Sequence, residues 1–104
     1  MDQVVETRRR VSIDELISFF EHYVEDHFKE EETLMKSNQF DGYEYHKAEH
    51  EIFKVRVEAL RKYYDQGTPN AHLIFTIRQF IDRLIDHIVT VDIQMAGLKH
   101  ETKD

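Results

Sequence analysis

An all-α bundle is the fold class this sequence predicts, and three observations predict it. Three Gly and one Pro in 104 residues leave little material for turns, so the elements must be few and long. Apolar residues recur at steps of three and four along three successive stretches, the period of a helix and not of a strand. Turn or capping residues bound each stretch. The length suits a single domain, residues 1–104, around one core.

Residues 1–11 carry no clear period and are expected to form a short N-terminal segment. Ser12-Ile13-Asp14-Glu15 then reads as a capping box, each side chain able to accept from the other residue's amide. The helix that follows places Leu16, Phe20, Tyr23, His27, Glu31 and Leu34 on one stripe and should span about 12–36. Asn38 to Gly42 is a turn, and Asp41 with Glu44 offers a second N-cap pair. The second helix, about 42–65, carries Tyr43, His46, His50, Phe53, Val57, Leu60 and Tyr64. Gly67 suits the residue just past its end, and Thr68-Pro69 suits an N-cap followed by a first helical turn. The third helix, about 69–99, carries Leu73, Ile77, Phe80, Leu84, His87, Val91, Met95 and Leu98. Short connections make successive helices antiparallel neighbours. Three such helices leave an apolar groove where a fourth would lie. Phe19, Phe20, Phe28, Phe53, Phe75 and Phe80 are assigned to packing.

The formal charge of −7 argues against a nucleic-acid partner, because little here would neutralise phosphates. Arg8, Arg9 and Arg10 form the only basic run, read as a solvated terminal cluster. There is no Cys, which excludes disulfides, thiolate ligands and thiol nucleophiles. No apolar run reaches membrane-spanning length, and Met1-Asp2-Gln3 lacks the layout of a signal peptide. A cytoplasmic protein with no membrane partner is expected.

The chemistry lies on the three stripes. His27 with Glu31 and His46 with His50 are four residues apart, so each pair projects from one helix face. His87 and Asp92 are five apart, about 140° around the helix, and would reach a common centre from different angles. A lone His on an apolar stripe is ordinarily a hydrogen-bonded core residue. Three stripes that each carry such a pair are another matter. Two inward carboxylates without a basic partner would be costly unless a cation met them. Four imidazoles and two carboxylates, with no sulfur, suit iron, manganese or zinc.

These residues also carry a family resemblance. His27-Phe28-Lys29-Glu30-Glu31-Glu32-Thr33-Leu34-Met35 resembles the HFxxEExxM signature of hemerythrin-like domains. His46-Lys47-Ala48-Glu49-His50 is similar to that family's HxxxH helix, and His87 to Asp92 to its HIxxxD element. The resemblance covers about 12–98 and implies a four-helix bundle holding two irons under an oxo or hydroxo bridge. It implies that His46, His50 and His87 bind one iron, that His27 binds the other, and that Glu31 and Asp92 bridge them.

One departure is visible. The family's further His, some thirty residues before its HFxxEE element, has no counterpart here: counting back from His27 runs off the chain. The N-terminal helix is therefore expected to be absent or reduced to residues 1–11. His22 is the one intrachain replacement within reach, since His72 and His100 lie roughly 20 Å along the helix from His87. A second copy could cover the groove, the site could stay open, or the polypeptide could be a piece of a longer protein. A homodimer is the favoured expectation, because an uncovered apolar groove is an interface surface. The resemblance implies reversible O2 binding for storage, delivery or sensing. The alternatives are a redox enzyme acting on peroxide or nitric oxide, and a metal-poor oligomerisation module.

Overall fold

The computed structural model describes residues 3–103, and side chains up to Gln94 other than that of Asp92. Helix α1 (Gln3–His22) runs through a wide π-helical turn (Tyr23–His27) into α2 (Phe28–Ser37), so these three form one rod. Helix α3 (Tyr43–Asp65) returns alongside it, and α4 (Asn70–Lys103) runs up again. The described residues contain no strand. The bundle measures 58 × 21 × 18 Å, and each rod packs against the other two.

The first helix begins at Gln3, not near residue 12, so residues 3–11 are not a separate segment. Ser12 is exposed in mid-helix, and the Ser12–Glu15 pair has no helix end to cap. Polar anchors explain the early start. Arg10 donates to the Tyr64 and Thr68 carbonyls and to Asn70 Oδ1, and its guanidinium lies 4.3 Å from the Tyr64 ring centroid. Asn70 in turn donates to the Glu6 carbonyl and carboxylate. Hydrophobic periodicity cannot register these contacts, because Val4, Val5 and Val11 themselves remain exposed.

The buried face of the first rod also differs from the expected stripe. Ile13, Ile17, Phe20, Val24, Phe28, Glu31 and Met35 point inward, whereas Leu16, Tyr23, His27 and Leu34 sit at the edge. The offset is one residue and is already present at Leu16 and Ile17, before the π-turn: Leu16-Ile17, Tyr23-Val24 and Leu34-Met35 offer two adjacent apolar stripes, and the structure buries the second. Phe19 and Phe75, assigned to packing, are exposed. The main core joins Ile17, Phe20, Phe28, Phe53, Leu60, Leu73 and Phe80 among others, with Met35 and Val91 closing the other end. Each large apolar side chain buried here contributes about 1.5–3 kcal/mol.

The ends of the rods follow local rules. Gly67 adopts φ 84°, the Thr68 amide bonds the Tyr63 carbonyl at 3.1 Å and the Gly67 amide bonds that of Tyr64 at 3.1 Å, which ends α3 in a left-handed cap. The same pattern closes α2, where the Phe40 amide bonds the Met35 carbonyl at 2.9 Å; its left-handed residue is Gln39, φ 53°. Helix α3 begins at Tyr43 without the expected Asp41 side-chain cap. Arg61 fastens α3 to α1 through Asp14 (2.7 Å), Ser18 (3.0 Å) and Glu21 (3.1 Å). Contact with Glu21 first, opposed by burial and aided by Asp14, raises its pKa.

Arg10→Ala should cost about 1–3 kcal/mol, since it strips charged hydrogen bonds from the α3–α4 turn. Urea denaturation followed by circular dichroism measures this; an unchanged midpoint would mean that residues 3–11 are not anchored as described.

Candidate metal centre

Glu31 occupies the centre of the site, first residue of its kind to face inward on α2, with a side chain 10% exposed. Its Oε2 lies 3.0 Å from His27 Nε2, one helical turn earlier. Its Oε1 lies 3.1 Å from His50 Nε2 and 3.8 Å from His87 Nε2. His50 and His87 are themselves 3.2 Å apart through their Nε2 atoms. Three rods thus deliver Glu31, His50 and His87 to one buried point.

Packing sets the ring orientations. Phe28, fully buried, stacks on the His50 ring at 3.9 Å and 5°, and meets His87 edge-on at 5.5 Å. Phe53 closes on His87 from below at 5.3 Å. The π-turn carries His27 to the rim, stacked on Tyr23 at 4.6 Å, with its side chain 44% exposed. Such wide turns recur at functional sites because they re-aim a side chain without ending the helix. Glu32 accepts from His50 Nδ1 at 2.7 Å, so Nε2 is the ring atom that faces Glu31.

His46 is buried but stands apart from this point. Its Nδ1 meets Glu49 Oε1 at 3.2 Å and its Nε2 lies 2.6 Å from Gln94 Oε1. Glu49 links it to His87, whose Nδ1 is 3.1 Å from the same carboxylate oxygen. Asp92 lies one residue past buried Val91 on α4, and its side chain is outside the described residues. His22, considered as a replacement ligand, is exposed and donates from Nδ1 to the Ser18 carbonyl at 2.8 Å, one turn back on its own helix. His72 is exposed, and the side chain of His100 lies outside the described residues.

The donor chemistry fits a metal. Glu31 Oε1 is buried and makes no hydrogen bond, although two imidazole nitrogens lie close to it. A buried carboxylate oxygen without a donor costs about 1–3 kcal/mol or more, and a cation between it and the Nε2 atoms would satisfy all three. Burial alone would push the Glu31 carboxyl up, but His50, His87 and His27 outweigh it and hold the pKa down at about 2. The group is therefore ionised at neutral pH and can only accept. Burial likewise opposes charge on His87, yet Glu31 and Glu49 together raise its pKa. Nitrogen and oxygen donors without sulfur suit iron, manganese or zinc.

The sequence pattern pointed at the ligand-type residues and, among their supports, at Glu30 and Glu32, which flank Glu31 and could face solvent or back the site; Glu32 backs His50 and Glu30 is exposed. Glu49, three residues after His46, is on the same helix face, which was the available signal. Nothing in the sequence signalled Gln94.

The hemerythrin HHE cation-binding domain family model matches residues 1–96. Bacteriohemerythrin of Aquifex aeolicus (strain VF5) is 34% identical over 70 residues, which cover 66% of this chain and 53% of that protein. The chain spans about half the length of that curated relative. No solved structure matches the chain significantly.

The charge pattern sets the pH response of the metal-free protein. Glu31, with its pKa lowered from 4.5 to about 2, stabilises the fold above pH 4.5 and loses that contribution as pH falls toward 2. His87, raised from 6.5, stabilises below pH 6.5 and loses its contribution as pH rises through the raised value. Chelator-treated protein should therefore be most stable between pH 4.5 and 6.5. Urea midpoints that keep rising from pH 6.5 upward would contradict the described contacts of His87.

Proposed function

This chain belongs to the hemerythrin HHE cation-binding domain family, and on that premise we propose that it is a non-heme di-iron protein that binds O2 reversibly. The observation that carries the reading is the buried Glu31 Oε1, which makes no hydrogen bond and faces the Nε2 atoms of His50 and His87. We assign His46, His50 and His87 to one iron, His27 to the other, and Glu31 and Asp92 to the bridging positions. Iron, when bound, would supply the electrons and the open coordination position that O2 requires.

The rest falls to the protein. Glu31 brings fixed negative charge to the centre of the site, and its two oxygens face different rods: Oε2 toward His27, Oε1 toward His50 and His87. Phe28 holds the His50 plane by stacking, and Glu32 keeps the proton on the outer nitrogen. Phe28 and Phe53 exclude water from the inner side of His50 and His87. An apolar wall of this kind favours a neutral diatomic ligand over ions.

The half-exposed His27 favours a second reading, a redox enzyme acting on peroxide or nitric oxide, because small oxidants could reach that side directly. The oxygenated spectrum separates the two. A charge-transfer band that persists for minutes and disappears under argon supports reversible binding; decay within seconds to a ferric spectrum, with metal-dependent peroxide consumption, supports the enzyme.

We further propose that a second copy of this chain covers the open side. A groove of about 560 Å³ runs between α1 and α4. Leu16 on one wall and Ile74 and Ile81 on the other line it and are only partly buried; Tyr23 and Ile88, seven residues further along each rod and also partly buried, lie beyond the groove on the same spacing, as in the seam of a helix pair. The seam leads toward His27, so an occupant would also shield the exposed rim. Arg8, Arg9 and Arg78 also line the groove, so an occupant has to set acidic side chains against them. Gel filtration with light scattering should give twice the 12.6 kDa chain mass, shifting toward monomer in Leu16→Glu; a monodisperse wild-type monomer would remove the dimer.

A further inference from the structure

We propose that Glu49 is a positioning residue that sets the proton on two imidazoles at once, and so aims both toward metal; the inference rests on the metal-binding reading above. A single oxygen, Oε1, lies 3.2 Å from His46 Nδ1 on α3 and 3.1 Å from His87 Nδ1 on α4. An ionised carboxylate has no proton to give, so both contacts require the imidazole Nδ1 to donate. In a neutral ring the lone pair then falls on Nε2. For His87 that is the atom 3.2 Å from His50 Nε2 and 3.8 Å from Glu31 Oε1.

The consequence is chemical. An unrestrained imidazole in water favours the proton on Nε2. That tautomer would point an N–H of His87 into the space between Glu31 and His50, where a ligand lone pair is needed. One carboxylate prevents this in two rings on two helices. His50 has a separate support in Glu32, at 2.7 Å from its Nδ1, so the three buried imidazoles of the site all have carboxylates behind them. The Glu49 side chain is 31% exposed and opens on a cleft between α3 and α4, which keeps it hydrated while its Oε1 faces inward. The Gln94 side chain beside His46 Nε2 can present oxygen or NH2 there, so it follows the tautomer and does not dictate it. Outer-shell carboxylates of this kind fix ring orientation and raise metal affinity about 10- to 100-fold.

The test uses the full chain stripped of metal, with long-range proton–nitrogen correlation spectra recorded over a pH series and read where the rings have become neutral, since Glu31 and Glu49 raise the His87 pKa. His46 and His87 are expected as Nδ1–H tautomers in the wild type. In Glu49→Ala both should shift toward Nε2–H while His50 stays unchanged as the internal control. In Glu49→Gln the amide oxygen can still accept, and both Nδ1–H forms should persist. Zn2+ affinity by competition with a chelating dye should fall about 10- to 100-fold in Glu49→Ala and only a few-fold in Glu49→Gln. Nε2–H at His46 and His87 in the wild type would overturn the proposal without any variant. Unchanged tautomers or unchanged Zn2+ affinity in Glu49→Ala would also overturn it. Because the tautomers are read without metal, failure to bind iron would remove the proposed function and leave this inference standing.

Discussion

The buried carboxylate of Glu31 is the constraint around which this bundle is arranged. It sits at the contact of three rods, close to imidazoles from each, and one of its oxygens lacks a hydrogen bond. Left alone, such a group would work against folding. Its surroundings offset the burial with nitrogen atoms, to the extent that the carboxyl is held at about pKa 2. The same arrangement that keeps it ionised makes it a ligand.

Rigidity around that point comes from aromatic packing and polar fasteners in different places. Near the site, Phe28 and Phe53 clamp His50 and His87. At the far end, Arg10 and Asn70 tie the start of the first rod to the α3–α4 turn. Midway, Arg61 holds α3 to α1 through Asp14, Ser18 and Glu21. Sliding one rod past another would break these contacts together, so the height of His27, Glu31, His50 and His87 is set by interactions spread along the bundle. The π-turn is the local exception: it moves His27 to the rim while Glu31 remains inside.

Most of the architecture was legible in the sequence, because apolar steps of three and four and the Gly67 turn are local signals. The early start of α1 was not, since Arg10 acts through carbonyls more than fifty residues away. Nor was the inner face of the first rod, because Leu16-Ile17, Tyr23-Val24 and Leu34-Met35 offer two adjacent apolar stripes. At the site, spacing marked Glu31, His50 and His87, and the structure brings these three together. His46 faces Glu49 and Gln94 instead of Glu31, a detail of ring orientation that residue spacing does not encode. His22 looked available by distance along the chain, yet its imidazole bonds its own helix backbone.

Metal content per chain is the most direct measure of the central claim. Protein purified without added metal and without a histidine tag can be analysed by plasma mass spectrometry alongside Glu31→Ala. About two irons per wild-type chain, falling to one or none in the variant, is the result this account requires. Wild-type protein that holds no iron when reconstituted anaerobically with ferrous salt, or a variant that keeps two, would contradict it.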